Sequence, residues 1–323
     1  MISTLQFPRA VLVALMALLL AVPAHASEMV LKARQVGAHS WVFIGQAGIA
    51  NGSNQGFNSN AGFVVTPGGV VVFDTLGTPA LGKAMIAAIR RVSAQPVRRV
   101  IISHYHADHY YGAQAFKAVG AQIWAHSAGQ GVTRSDSAQA RLRQRRDDLF
   151  PFVDEKTELV DADHWIDFDV QPEQRFTLGG VNMRLINVGG AHAPDDMMMF
   201  VENDGVLFAG DVYFNGRLPF VVGANTAKWL QALERMAALK PRVAVPGHGE
   251  PSKAVALDLT LTRDYLRFLR QTMGPAAQEM IDFDTAYARV DWSRWAGVRT
   301  FNLANRLNAR AVYLEMERES LSR

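Results

Sequence analysis

A chain of 323 residues with 49% apolar side chains is long enough for one large domain or two of ordinary size, and rich enough for a sizeable core. Its 33 basic and 30 acidic residues nearly cancel, leaving a formal charge of +3, which argues against a nucleic-acid partner. There is no cysteine, so disulfides are excluded and any metal must be held by nitrogen or oxygen.

Residues 1–26 read as a secretory signal peptide. Arg9 supplies positive charge, residues 11–22 form an apolar run, and Ala24-His25-Ala26 is a small-x-small cleavage site. The expected location is the periplasm or outside the cell, with cleavage after Ala26. The run is short for a membrane span, so no stable span is expected once the signal is removed. Residues 27–255 read as the main domain and 256–323 as a helical extension packed on it.

In the main domain, residues 30–36, 40–44, 61–66 and 70–74 are short β-prone runs with Gly, Asn and Pro between them. Residues 48–60, rich in Gly, Asn and Ser, read as a mobile loop. Thr78-Pro79 opens a helix to about residue 93. A strand at 99–103 is followed by a helix at 108–119 that ends at Gly120, a strand at 121–125 and a charged helix at 135–150. Strands follow at 181–188, 197–202 and 206–209, with Asn203-Asp204-Gly205 as a hairpin turn. A helix at 226–239 and a strand at 243–245 precede a helical region with breaks near Gly274-Pro275 and at 292–297. Strands alternating with helices predict an α/β (α+β) fold, with its site in loops at the ends of strands.

The densest chemistry lies in Ser103-His104-Tyr105-His106-Ala107-Asp108-His109, at the end of one predicted strand. His104 and His106, two apart in extended chain, point the same way and can reach one ion. Asp108 and His109 fall where the chain turns into a helix and face a neighbouring position. His192 in Gly190-Ala191-His192, Asp211 in Gly210-Asp211 and His248 in Pro246-Gly247-His248-Gly249 each follow a strand. His192 would complete three imidazoles on one ion, and His248 would join Asp108 and His109 on a second. Asp211, with two oxygens, would bridge both. Imidazole and carboxylate suit borderline divalent metals, and two-metal sites point to hydrolysis.

In order and spacing, these motifs resemble the metallo-β-lactamase superfamily over roughly residues 30–251. The resemblance implies a four-layer αββα sandwich with a dinuclear site at the edge of its two sheets. It assigns His104, His106 and His192 to the first metal, Asp108, His109 and His248 to the second, and Asp211 to the bridge. Asp74, at a strand end, matches an acid that orients a ligand imidazole in the family. Residues 103–116 and 206–220 more narrowly resemble periplasmic metallohydrolases of quinoprotein relay and sulfur-oxidation systems. Lactamases proper often carry Cys or Ser where Asp211 stands, so the resemblance leans toward thioesterases of the glyoxalase II kind and other hydrolases.

The expected reaction uses a metal-bridging hydroxide, made available near neutral pH by two cations, to attack a small ester, thioester or amide carbonyl. Asp108 would orient that nucleophile or shuttle its proton. The expected cofactors are two divalent ions, zinc first, with iron or manganese as alternatives. One competing expectation is a metal-binding accessory protein of a periplasmic redox pathway, without turnover. The other is a β-lactamase. A small-molecule substrate is the only partner expected.

Other features have plainer readings. His39, His126 and His164 read as surface or capping residues, His126 being best placed to approach the site. Tyr213 and Asn215 face either substrate or the core. Arg141, Arg143, Arg145 and Arg146 read as a solvated helix face paired with Asp147 and Asp148. The C-terminal helices, with Trp292, Trp295 and Phe301, read as packing against the sandwich.

Overall fold

The computed structural model describes residues 29–322 and forms a four-layer sandwich, helices–sheet–sheet–helices. The expected signal peptide, with His25, lies outside the described residues. The first sheet runs in spatial order β1 (Arg34–Gln35), β2 (Ser40–Phe43), β3 (Ala61–Thr66), β4 (Gly69–Phe73), β5 (Val97–Ile101), β6 (Gln122–His126), β7 (His164–Ile166). Pairing is antiparallel up to β4 and parallel from β4 to β7. The second sheet runs β12 (Val243–Val245), β11 (Val206–Phe208), β10 (Met197–Val201), β9 (Val181–Asn187), β8 (Glu173–Leu178), antiparallel except for the β11–β12 pair.

The strands of the middle layers are apolar on both faces because each sheet is covered twice. Val42, Val64, Val71, Phe73 and Ile101 meet Met183, Leu185, Met199, Val206 and Phe208 between the sheets. Gly62 is required there: a β-carbon would collide with the Phe208 ring. The outer face of the first sheet is covered by α1 (Pro79–Val92), which buries Leu81, Met85, Ile86 and Ile89 and is capped by Thr78 Oγ1 accepting from Leu81 N at 3.1 Å. Beyond α2 (Ala107–Tyr110) and α3 (Ala113–Ala118) comes α4 (Asp136–Leu149). The second sheet is covered by α5 (Thr226–Ala238), α6 (Val255–Gln278) and α9 (Phe301–Leu321), with α7 (Phe283–Ala288) and α8 (Ser293–Ala296) between the last two. No helix among the described residues is long and apolar enough to cross a membrane.

The C-terminal helices share one core with α5 and the second sheet: Tyr265, Leu269, Met273, Trp295 and Val312 pack with Trp229 and Leu233. They also hold the loop that follows Asp211. Asn308 accepts from Val221 N at 2.9 Å and donates to Pro219 O at 2.7 Å, and Glu315 accepts from Thr226 N at 2.7 Å.

Several expectations need correction. The single helix at 108–119 is two short ones, because Gly112 must pass against the Thr75 carbonyl and α1, where a side chain would collide. The helix expected to break at Gly274-Pro275 continues to Gln278, carried by packing on α9, with Met316 seated over Gly274. Strands β7 and β8 were not expected: β7 has three residues, and the Glu, Gln and Arg of β8 hide its alternation. The 48–60 loop is held rather than loose in its second half, where Asn60 Nδ2 donates to Pro246 O and Gly249 O, both at 2.8 Å.

Candidate metal centre

All seven candidate ligands converge on one edge of the sandwich because each follows a strand ending there. The parallel neighbours β4 and β5 deliver Asp74 and the 103–109 segment side by side. The parallel pair β11 and β12 delivers Asp211 and His248. His192 sits in the turn between β9 and β10, which is tied to the first sheet by Met197 N donating to Ser103 O at 3.0 Å.

Two groups of side chains form. His104, His106, His192 and Asp211 make one, and Asp108, His109 and His248 the other; ligand atoms within each lie within 4.8 Å of one another. His106 Nδ1 is 3.0 Å from His104 Nε2 and 2.9 Å from His192 Nε2. Asp211 reaches both groups, with Oδ2 3.3 Å from His192 Nε2 and Oδ1 3.2 Å from His109 Nε2. His248 Nε2 lies 3.5 Å from Asp108 Oδ2 and 3.4 Å from Asp211 Oδ2. Five of the seven are buried, whereas His106 is exposed and Asp108 half-buried, so the centre opens on their side.

The ring orientations are fixed from behind. Asp74 accepts from Ser103 N at 2.7 Å, from Ser103 Oγ at 2.8 Å and from His109 Nδ1 at 2.8 Å. Ser103 Oγ is also 2.9 Å from His104 Nδ1. His248 Nδ1 donates to Asn58 O at 2.7 Å. With Nδ1 donating outward, the His109 and His248 rings would turn Nε2 lone pairs inward once a metal displaces any proton there, as metal ligands must. Asp74 holds left-handed backbone, φ 61°, an uncommon conformation that here points its carboxylate back along the ligand segment.

The donor set fits divalent ions. His109 Nε2 and Asp211 Oδ1 are buried 3.2 Å apart with no well-aligned hydrogen bond from either, an arrangement that a cation held by both would relieve. His106 Nδ1 has one in-plane site yet faces two imidazole nitrogens, an arrangement one shared electrophile satisfies and a proton does not. Burial pushes the His104 imidazole well below its usual range and His192 down to about 3, so both stay neutral and ready to ligate. Burial also opposes a charge on His109, but Asp211, Asp108 and Asp74 together lift it well above the usual value. Burial works against ionised Asp108 and Asp211 too, and the facing His109 and His248 overcome it, bringing Asp108 to about 2 and Asp211 well below normal. Asp108 and Asp211 thus face the centre ionised, balanced in part by a proton on His109 that a bound cation would replace.

Some supporting residues carried no sequence signal. Asn58 donates from Nδ2 to Asp108 Oδ2 at 2.9 Å while its carbonyl holds His248, and Ser59 Oγ donates to Asp108 O at 2.5 Å. Phe214 stacks on His248 at 5.1 Å and 11°. Buried Arg217 lies behind that pair, 3.4 Å from His248 Nδ1. Loop polar residues and a lone arginine have no periodic signature, so only the fold reveals them.

The residues set apart from the site behave as caps and packing. His126 Nδ1 accepts from Ala128 N at 2.9 Å, His39 Nδ1 faces Val65 O at 3.3 Å, and His164 packs on Trp124. Tyr213 is fully buried and Asn215 Nδ2 donates to Glu250 O at 2.8 Å, so both serve packing. In the arginine run, Arg146 pairs with Glu155 at 3.1 Å instead of Asp147 or Asp148, and Arg145 approaches Asp148 only to 3.9 Å.

The family model described as the metallo-beta-lactamase superfamily matches residues 54–248, well over half of the chain. The chain belongs to the metallo-beta-lactamase superfamily. Among curated superfamily relatives it is 23% identical over 237 residues to a linear primary-alkylsulfatase of Pseudomonas sp. (strain ATCC 19151), covering 64% of this chain and 45% of that one. It is 24% identical over 157 residues to a beta-lactamase-like protein 2 homolog of Drosophila melanogaster, covering 46% and 44%. The chain therefore spans about half the length of the curated relatives it matches. Among solved structures, the inverting sec-alkylsulfatase Pisa1 from Pseudomonas sp. superposes with a TM-score of 0.70 at 20% identity, covering 88% of this chain and 50% of that one. A metallo-beta-lactamase from Pontibacter korlensis gives 0.58 at 19% identity, covering 73% and 99%. At these identities the structural likeness shows the superfamily fold alone.

Proposed function

We propose that the chain is an exported hydrolase dependent on two divalent metal ions, acting on a small ester, thioester or amide. The observation that carries this reading is Asp211, one carboxylate within 3.4 Å of imidazoles from both ligand groups. His104, His106 and His192 would hold one ion and Asp108, His109 and His248 the other, with Asp211 between. When bound, two such ions supply Lewis acidity and acidify a water to near neutral pH. The residues do the rest. Asp108 keeps Oδ2 in a hydrogen bond from Asn58, leaving Oδ1 without a partner among the described residues and free to take a proton from the attacking water. Asp74 and Asn58 hold the His109 and His248 rings so that little reorganisation accompanies reaction. Zinc is the first candidate metal, given the imidazole-rich set, and the periplasm the proposed location, from the leader sequence.

Sulfate-ester hydrolysis is a second reading, favoured by similarity to alkylsulfatases in both comparisons. One panel separates the readings: a chromogenic cephalosporin, a lactoylated glutathione thioester, neutral aryl esters and an aryl sulfate, each with and without chelator. Chelator-sensitive turnover of a carbonyl substrate supports the first reading, and of the aryl sulfate the second. Bound metal with no turnover at all would favour the accessory-protein alternative.

A further inference from the structure

Helix α9 has two unlike faces. Inward, Asn305, Asn308, Val312 and Tyr313 are buried, and they carry its contacts with α6 and with the loop after Asp211. Outward, Leu303, Leu307, Leu314 and Leu321 are 50%, 56%, 39% and 82% exposed, and they belong to no core cluster among the described residues. Single exposed leucines are ordinary, but these four line up. Leu307, Leu314 and Leu321 recur every seven residues, and Leu303 lies one turn earlier. At 3.6 residues per turn the four fall within about 40° of one another, on the side away from the buried residues. Leucine recurring at this spacing on one outward face forms the seam by which a helix pairs with another helix.

Two charged residues complete the stripe. Arg310 and Glu317 lie within about 40° of its leucines on the helix circumference. Arg310 is exposed and Glu317 half-buried, and neither side chain has an ion-pair partner among the described residues; the pairs of α9 are made by Arg306, Glu315 and Glu319. Arg310 lies four residues before Leu314 and Glu317 three after. A two-fold axis between them therefore sets Arg310 of each copy alongside Glu317 of the other, as a self-complementary interface requires. The same axis brings Leu303 and Leu307 alongside Leu321, and the two Leu314 side chains together near the middle. A parallel pair would oppose Arg310 to Arg310 and Glu317 to Glu317, which is unfavourable. A lipid surface fits less well, because Glu317 would be desolvated without a partner.

We propose that the outer face of α9 docks a second copy of this chain, the two helices running antiparallel about a two-fold axis near Leu314. The seam is about 30 Å long, at the small end of stable interfaces, so the dimer should dissociate on dilution.

The test is sedimentation velocity of the metal-loaded protein over a wide concentration range. The proposal expects a monomer–dimer equilibrium in the parent. L307Q/L314Q removes four leucines from the pair, two per copy, without touching the core, and should raise the dissociation constant at least about a hundredfold. R310E and E317R each set like charges together and should weaken the dimer about tenfold, whereas R310E/E317R restores opposite charges and should return the parent affinity. L257Q, at an exposed leucine of α6, should leave the dimer as in the parent. Helicity and metal content of each variant report folding. A parent that stays monomeric throughout, or a dimer indifferent to Leu307 and Leu314, would overturn the proposal. Charge variants without effect, or a double variant that fails to rescue the singles, would overturn the antiparallel pairing. A monomeric parent that binds phosphatidylglycerol-containing vesicles through Leu307 and Leu314 would assign the stripe to a lipid surface instead.

Discussion

Asp74→Asn isolates the tautomer argument from folding. Asp74 is the acceptor for three buried donors: Ser103 N, Ser103 Oγ and His109 Nδ1. An asparagine can keep Oδ1 toward Ser103 N and let Nδ2 donate to Ser103 Oγ. Nδ2 then also faces His109 Nδ1, which must accept, and the imidazole proton moves to Nε2, where the metal lone pair is needed. Flipping the amide restores His109 but sets two N–H groups together at Ser103. The first arrangement keeps three hydrogen bonds with the wrong tautomer, and the second, which a metal would require, loses one, on the order of 1–3 kcal/mol for a buried unsatisfied group. That is survivable in a domain stable by roughly 5–15 kcal/mol. Loss of the orienting partner should weaken metal binding at the Asp108–His109–His248 group by about 10- to 100-fold. Competition with a chromophoric chelator gives the affinity, and thermal denaturation of the metal-free protein gives the folding cost. Asp74→Ala, which strands all three donors, should be far less stable. Wild-type affinity in a folded Asp74→Asn variant would refute the tautomer argument.

Asp211→Ala should lower metal content at both groups and cut turnover by at least about a hundredfold; two ions and full activity would remove the bridge. His126→Ala should leave metal content unchanged, because its ring caps a turn outside both groups. In the metal-free protein, His192 titrates at about 3 when folded and near 6.5 when unfolded. The unfolded state binds more protons between those values, so acidification through about pH 6.5 toward 3 should destabilise the apo form, and a melting series should show it. Burial raises Asp195 to about 6, so its contribution favours folding at low pH and declines as pH rises from about 3.8 to 6. Asp195→Asn, keeping an acceptor for Tyr105 N, should raise the melting temperature at pH 8 relative to wild type and not at pH 4.

The convergence of the seven candidate ligands was legible because chemistry constrains both type and place: His and Asp only, each just after a strand. Strands that lead to them were legible because runs such as 206–208 and 243–245 are wholly apolar. What was hidden depends on tertiary contact. The break at Gly112 exists because of the Thr75 carbonyl, and the continuity at Pro275 because of Met316; neither partner is near in sequence. Strand β8 carries Glu173, Gln174 and Arg175 because it is an edge strand, where charge is tolerated and helpful. The arginines of α4 were visible as a run, but that the end of the helix packs its Leu149 over Gly56 could not be read from sequence.

The most direct test of the central claim is a zinc titration of the chelator-stripped, mature protein, following turnover of whichever panel substrate it accepts. The stripped protein should show no turnover, with full recovery that saturates at two zinc ions per chain. Turnover that survives stripping, or that saturates at one ion with the second group empty, would contradict it.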